Sequence, residues 1–292
     1  MDNIIEEYRK LAVDNLFTVN SFTKVWPIWK KKINSKFFNR SVSELTNLGS
    51  TLSDIFKSTG SGRNQSSVSS GGTVWENLVC WYLNLCAIGS RTVVVRPING
   101  ILPSAVRNAI TVNYGSFISN TEADIVAITF LGEDKDYYFN DNDNLVEKID
   151  DFITFNFDKI EINIIQCKTN WNDNAQIPML WDMIYKVKSF ENNNITIGRN
   201  NFSIKDCKRF SYSFVTVPTV KTSKLNSNSV AVKRVSNLSG GVYWGNQTKS
   251  GVAQSIGELP AHVFFTNQQI NVRNVLNEEL KKLDIKYGYF NL

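Results

Sequence analysis

Two strand-like runs, 121–130 and 159–168, constrain this chain more than any other feature of its sequence. The first reads Thr121-Glu122-Ala123-Asp124-Ile125-Val126-Ala127-Ile128-Thr129-Phe130, and the second Lys159-Ile160-Glu161-Ile162-Asn163-Ile164-Ile165-Gln166-Cys167-Lys168. Both are short, rich in β-branched residues and bounded by polar clusters, the pattern of β-strands. Strand side chains alternate between faces, so Gln166 and Lys168 share one face and Cys167 turns to the other. An acid on the first strand, with a polar residue and a lysine two apart at the end of the second, can hold a divalent metal. Asp124 offers a carboxylate oxygen and Gln166 a neutral carbonyl oxygen, the donor types Mg²⁺ prefers. Lys168 then stands where it can orient a water or offset charge building on a phosphate.

The residues before these strands predict what packs behind them. The run from Thr73 to about Ile88 is apolar almost all round, which predicts a helix buried against the sheet. Glu76 is its one charge. Thr73-Val74-Trp75-Glu76 fits a capping box, and Glu76 is equally placed to help a metal; the two roles are compatible. Ser58–Gly72 is Ser/Gly-rich and predicts a loop, whose Gly71-Gly72 end would let a phosphate approach the helix N-terminus. Thr92–Val95 predicts a further strand, ended by Pro97 and an Asn99-Gly100 turn. The three strands then form an antiparallel meander behind the buried helix.

In this order and setting, Asp124, Gln166-Cys167-Lys168 and Glu76 resemble the PD-(D/E)xK nuclease superfamily, the fold of most type II restriction endonucleases. The resemblance covers roughly Thr73 to Tyr185. Ala123 stands where the family often has Pro, and Gln166 replaces the usual acid, removing one negative charge. The resemblance implies a restriction-endonuclease-like α/β core, a mixed central sheet flanked by helices. It implies Asp124 as main Mg²⁺ ligand, Gln166 as a weaker one, the backbone oxygen of Cys167 as another, and Glu76 as a helper. Gln176, at the head of a helix predicted over Ala175–Val187, is similar to a Gln of exonuclease branches.

The rest of the chain predicts helices first and strands later. Ile4, Ile5, Tyr8, Leu11, Ala12 and Leu16 recur at helical spacing. Phe22–Phe38 is amphipathic but contains Pro27, where a break is expected. Ser43–Phe56 predicts a third helix. Beyond the core, Phe214–Val217, Val230–Val235 and Val242–Trp244 predict strands, Gln269–Leu283 a closing helix, and Ile285–Phe290 an extended tail. We read residues 1–57 as an N-terminal helical subdomain, 58–190 as the nuclease core, and 191–292 as its continuation carrying DNA-recognition elements, within one compact domain.

Charge is segregated more than the net +5 suggests. No acid lies between Asp14 and Glu44, where Lys24, Lys30, Lys31, Lys32, Lys36 and Arg40 occur, and between Glu76 and Glu122 the only charged residues are Arg91, Arg96 and Arg107. No acid lies from Cys207 through Gly257 either, where Lys208, Arg209, Lys221, Lys224, Lys233, Arg234 and Lys249 occur. The acids concentrate between Glu133 and Glu161. A polyanion thus has one surface to approach and another to avoid, although a basic run can equally be a solvated face. Candidate DNA contacts are Arg63, Asn64 and Gln65 in the loop, and Lys221, Lys224, Lys233, Arg234 and Lys249. On a strand, Lys233 and Arg234 would point to opposite faces, so only one could enter a groove.

Several classes are excluded. The single histidine, His262, sits in an apolar run and rules out chemistries built on two or more histidines within one chain. The four cysteines show neither metal-ligand spacing nor a disulfide framework. No apolar run approaches the roughly 20 residues of a membrane helix, and the acidic N-terminus lacks signal-peptide order.

These readings converge on a type II restriction endonuclease: Mg²⁺-dependent hydrolysis of double-stranded DNA at a specific sequence, in the bacterial cytoplasm. A palindromic target would call for a homodimer. A structure-specific repair or recombination nuclease of the same fold, and a catalytically inactive DNA-binding protein, stay open; the loss of an acid at Gln166 favours the latter.

Overall fold

Helix α1 (Ile4–Leu16) follows a short strand, β1 (Asp2–Asn3), because the Asn3 side chain accepts the N–H of Ile5 at 2.9 Å and caps the first turn. The structure, a computed structural model, describes residues 2–60, 65–98, 100–113, 115, 117–120, 123–132, 138–139, 144–169, 196–217, 228, 233, 242–244 and 272–292. Helix α2 (Asn20–Lys36) runs unbroken through Pro27, against the expected break. Pro27 lies on the exposed face, where water can satisfy the carbonyl that proline leaves unpaired, while Phe22, Trp26, Trp29 and Ile33 bury the opposite face. Helix α3 (Val42–Lys57) starts at Ser41, whose hydroxyl accepts the Glu44 N–H at 3.2 Å.

Helix α4 (Gln65–Cys86) begins at Gln65, not at Thr73. The Ser/Gly-rich stretch from Gln65 to Gly72 is therefore helical, and Thr73 lies inside the helix. The capping-box role of Glu76 and the phosphate approach at Gly71-Gly72 both fall with that correction. The buried part from Val74 to Cys86 anchors the helix, and extending a formed helix adds a hydrogen bond for each residue ordered.

The sheet elements follow as β2 (Thr92–Val95), α5 (Ser104–Ala109), β3 (Thr111–Asn113), β4 (Ile118–Asn120), β5 (Ile125–Phe130), β6 (Tyr138–Phe139), α6 (Leu145–Phe155), a 3₁₀ turn (Phe157–Lys159), β7 (Ile160–Lys168), β8 (Thr196–Ile197), β9 (Arg209–Thr216) and β10 (Val242–Trp244). Helices α7 (Val272–Leu280) and α8 (Leu283–Lys286) close the chain, and a 3₁₀ turn over Gly288–Phe290 replaces the expected extended tail. The indole Nε1–H of Trp81 donates to the Phe290 carbonyl at 3.0 Å, with the Phe290 ring fully buried. Tertiary contact thus holds those last residues coiled.

The main sheet has the order β10-β9-β7-β5-β2. β2 with β5 and β5 with β7 pair antiparallel, the expected meander, whereas β7 with β9 and β9 with β10 pair parallel. The sheet is mixed and the fold is α/β. Alternation along the strands divides the core. Ile125, Ala127, Ile165, Cys167 and Val215 face α2, α3, α4 and α7. Val126, Ile128, Ile162, Ile164 and Phe214 face α1, α5 and α6. Two smaller sheets pair β1 with β6, and β3 with both β4 and β8.

The edge strand β2 is covered by side chains. Asn84, fully buried on α4, accepts the Val94 N–H at 3.0 Å and donates to the Val94 carbonyl at 2.6 Å. Arg9 on α1 donates to the carbonyls of Thr92 and Ser90. Groups that would otherwise template another strand are thereby satisfied. Lys233 is helical and exposed, which corrects the strand expected at that position. Among the described residues, no helix is long and apolar enough to cross a membrane.

Candidate functional site

The site forms where β7 outruns β5. Ile125, the first residue of β5, pairs with Ile165, so Gln166, Cys167 and Lys168 extend beyond the ladder on that side. The carboxylate of Asp124 fills the gap: its Oδ2 accepts the backbone N–H of Cys167 at 2.8 Å. The same oxygen lies 3.6 Å from Lys168 Nζ. On the opposite edge, β9 continues the pairing as far as Lys168 with Thr216, and the Val217 N–H donates to the Lys168 carbonyl at 2.9 Å. The end of β7 is therefore clamped from both sides.

Gln166 and Lys168 share the face of Ile162 and Ile164, as alternation requires, and the register carried one residue further sets Asp124 opposite Gln166. Gln166 is 1 % exposed, and neither its Oε1 nor its Nε2 has a hydrogen-bond partner among the described residues. An orphaned buried amide is costly, about 1–3 kcal/mol, and calls for an explanation such as an ion. Cys167 turns its thiol to the α4 side, where burial pushes it well above the ordinary thiol value. A strand residue sends its N–H and C=O to the same edge, so the Cys167 carbonyl leaves on the Asp124 side.

Glu76 reaches this site from α4, close enough for its carboxyl to be raised by the charge of Asp124 and lowered by that of Lys168. Its immediate partner is Arg96, the residue after β2, whose Nη2 donates to Glu76 Oε2. Arg96 Nη1 donates to Asn77 Oδ1, and Asn77 in turn donates to the Leu16 carbonyl at 3.3 Å. Burial raises both carboxyls above their ordinary values, with Arg96 opposing the shift at Glu76. At Asp124, Lys168 and the Cys167 N–H oppose it.

Sequence reasoning noted Arg96 only as one charge of an acid-free run and placed neither it nor Asn77 at the site, because its closeness to Glu76 depends on how α4 crosses the sheet. Of the proposed DNA contacts, Lys233 is exposed and Gln65 opens α4. Arg63, Asn64, Lys221, Lys224, Arg234 and Lys249 lie outside the described residues, as do His262, Gln176 and the helix expected over 175–187.

No group of three or more His, Cys, Asp or Glu that could hold a metal is present among the described residues. The oxygen donors at this end of β7 are instead Asp124 and the Cys167 carbonyl, with Glu76 approaching from the α4 side and the Gln166 amide oxygen on the Ile162/Ile164 face of the strand. All four are oxygens, which suits a hard cation, and the orphaned Gln166 oxygen fits a ligand role.

No protein-family model, curated protein or solved structure matches the chain. The functional reading rests on the chain's own residues.

Proposed function

We propose that this protein is a Mg²⁺-dependent endodeoxyribonuclease with a restriction-endonuclease-like core, acting as a type II restriction enzyme on a specific duplex sequence. The observation that carries the reading is Gln166: a buried amide without a partner among the described residues, one step beyond the Ile125–Ile165 pair on the strand whose end Asp124 holds, with the Asp124 carboxylate already paired with Lys168. Asp124, Gln166, the Cys167 carbonyl and Glu76 would hold the ion. When bound, Mg²⁺ supplies a Lewis acid for a phosphoryl oxygen and lowers the pKa of water. Asp124 also holds the end of β7 in place through the Cys167 N–H, which sets where Lys168 stands. The Lys168 ammonium, partly exposed, orients the attacking water and offsets charge growing on the phosphate. A homodimer would match a palindromic target.

One observation favours a second reading, a DNA-binding protein without activity. Each carboxylate of the site is already matched by a cation, Glu76 by Arg96 and Asp124 by Lys168. Digestion of unmethylated phage DNA with Mg²⁺, followed by fragment sizing, separates the possibilities. Discrete fragments support restriction. Ragged degradation points to a repair nuclease of the same fold. Binding without cleavage in Mg²⁺ or Mn²⁺ leaves the inactive protein.

A further inference from the structure

Two ion pairs lie within electrostatic reach of each other at the site, Glu76 with Arg96 and Asp124 with Lys168. Two carboxylates against two cations give these four groups a net charge of zero. A divalent cation entering alone must compete with both cations for the carboxylates. It must do so at low exposure, 16 % for Glu76 and 15 % for Asp124, where charge interactions are poorly screened. Gln166, uncharged, adds an oxygen but no compensating charge. The protein by itself is therefore a poor divalent-cation site.

A phosphodiester changes this balance. With one anion present, one of the two cations can leave its carboxylate without becoming an unpaired buried charge. Lys168 belongs to the reaction itself, close to Asp124. Arg96 is the other choice, and it is built for exchange. Its guanidinium is buried, its Nη1 is fixed by Asn77, its Nη2 is spent on Glu76, and its Nε has no partner among the described residues. The planar donor fork of an arginine suits phosphate oxygens as well as it suits a carboxylate.

We propose that Arg96 couples metal binding to DNA binding: it holds Glu76 until a backbone phosphate enters, then turns to that phosphate and releases the carboxylate to the divalent cation. The proposal rests on the nuclease reading above and adds to it that the cation and the DNA enter together. Arg96 is a positioning residue in this scheme, acting through Glu76.

The test is a binding measurement. Mn²⁺ affinity of the wild-type protein is followed by EPR, without and with a duplex carrying phosphorothioate linkages that slow hydrolysis. The duplex should tighten Mn²⁺ binding by roughly 5–150-fold, the usual range of coupling between two sites. By reciprocity, Mn²⁺ should tighten duplex binding by the same factor in an anisotropy titration. Arg96→Met should bind Mn²⁺ more tightly than wild type in the absence of DNA and lose most of the gain from adding it. That variant strips Glu76 and Asn77 of a partner and can fail to fold, so the Glu76→Gln/Arg96→Met double variant is measured beside it; its coupling should also fall towards onefold. Undiminished coupling in whichever variant folds overturns the role of Arg96. Equal Mn²⁺ affinity with and without duplex overturns the coupling and leaves the nuclease reading standing. Absence of Mn²⁺ binding in both states removes both.

Discussion

Asp124 Oδ2 touches two groups of the same strand end, the Cys167 N–H at 2.8 Å and Lys168 Nζ at 3.6 Å. One carboxylate thus replaces the missing ladder partner of β7 and places the site's lysine. Burial nevertheless raises its pKa in spite of both contacts. Folding therefore disfavours the charged form relative to the unfolded chain, so an ionised Asp124 is held at some expense of stability, as functional sites often require.

Asp124→Asn tests this directly. The amide oxygen still accepts the Cys167 N–H, while the buried charge is gone. Cleavage should fall by about 10²-fold or more, with a thermal midpoint at pH 7 no lower than wild type. Lys168→Ala should lose cleavage to a similar degree and keep duplex affinity, which rests on phosphate contacts elsewhere. Near-normal cleavage by either variant removes the site assignment.

Gln166 can be tested in two directions. Gln166→Met fills the same space without polar atoms and should raise metal-free stability by about 1–3 kcal/mol in urea denaturation, because an orphaned amide is removed. It should also weaken Mn²⁺ binding and cleavage sharply. Gln166→Glu should leave a working enzyme with a changed metal preference. A loss of stability in the methionine variant would show that the amide has a partner in the folded protein.

The Glu76–Arg96 pair predicts strong non-additivity. Arg96→Met leaves a partly buried carboxylate without its cation and should lower stability by about 1–3 kcal/mol. Glu76→Gln/Arg96→Met removes both charges and should recover most of that loss. Additive losses across the double-mutant cycle would mean the two side chains do not interact.

Acidity should act in a defined direction. The carboxyls of Asp124 and Glu76 lie above their ordinary values of 3.8 and 4.5 in the folded protein. Folded-state values above unfolded ones mean that these groups oppose folding at neutral pH. That opposition is relieved as pH falls through the raised values, and nothing more is gained below the ordinary ones. Under the proposed site, metal binding would require both groups ionised. A rise in thermal midpoint given by Mn²⁺ in the presence of the phosphorothioate duplex should therefore disappear at a pH above that of an exposed carboxylate. A Mn²⁺ effect that persists unchanged down to pH 4.5 would contradict the shifts.

Asn84→Ala should damage the fold without touching the site. It exposes the N–H and C=O of Val94 inside the protein, each at about 1–3 kcal/mol. Lower stability with unchanged activity per folded molecule is expected, from denaturation and active-site titration together.

Much of the core was legible from local pattern. Strand alternation put Gln166 and Lys168 on one face and Cys167 on the other, and the antiparallel meander of β2, β5 and β7 followed from short apolar runs with polar borders. Both are local because the side-chain period of a strand is two whatever it packs against. Local rules failed where packing outweighed them. Pro27 sits inside α2 because its exposed face tolerates a lost hydrogen bond and its buried face is rich in tryptophan and phenylalanine. Thr73 is no helix cap because the buried half of α4 carries the helix back to Gln65. The tail coils because Trp81, far away in sequence, takes the Phe290 carbonyl. Arg96 shows the limit most sharply. As a sequence position it is one arginine after three valines, and its meaning depends on α4 crossing the end of β2 so that Glu76 and Asn77 reach its guanidinium. Periodicity decided which face each residue takes; only tertiary packing decided which charges meet, because a crossing helix brings together residues that no local spacing connects.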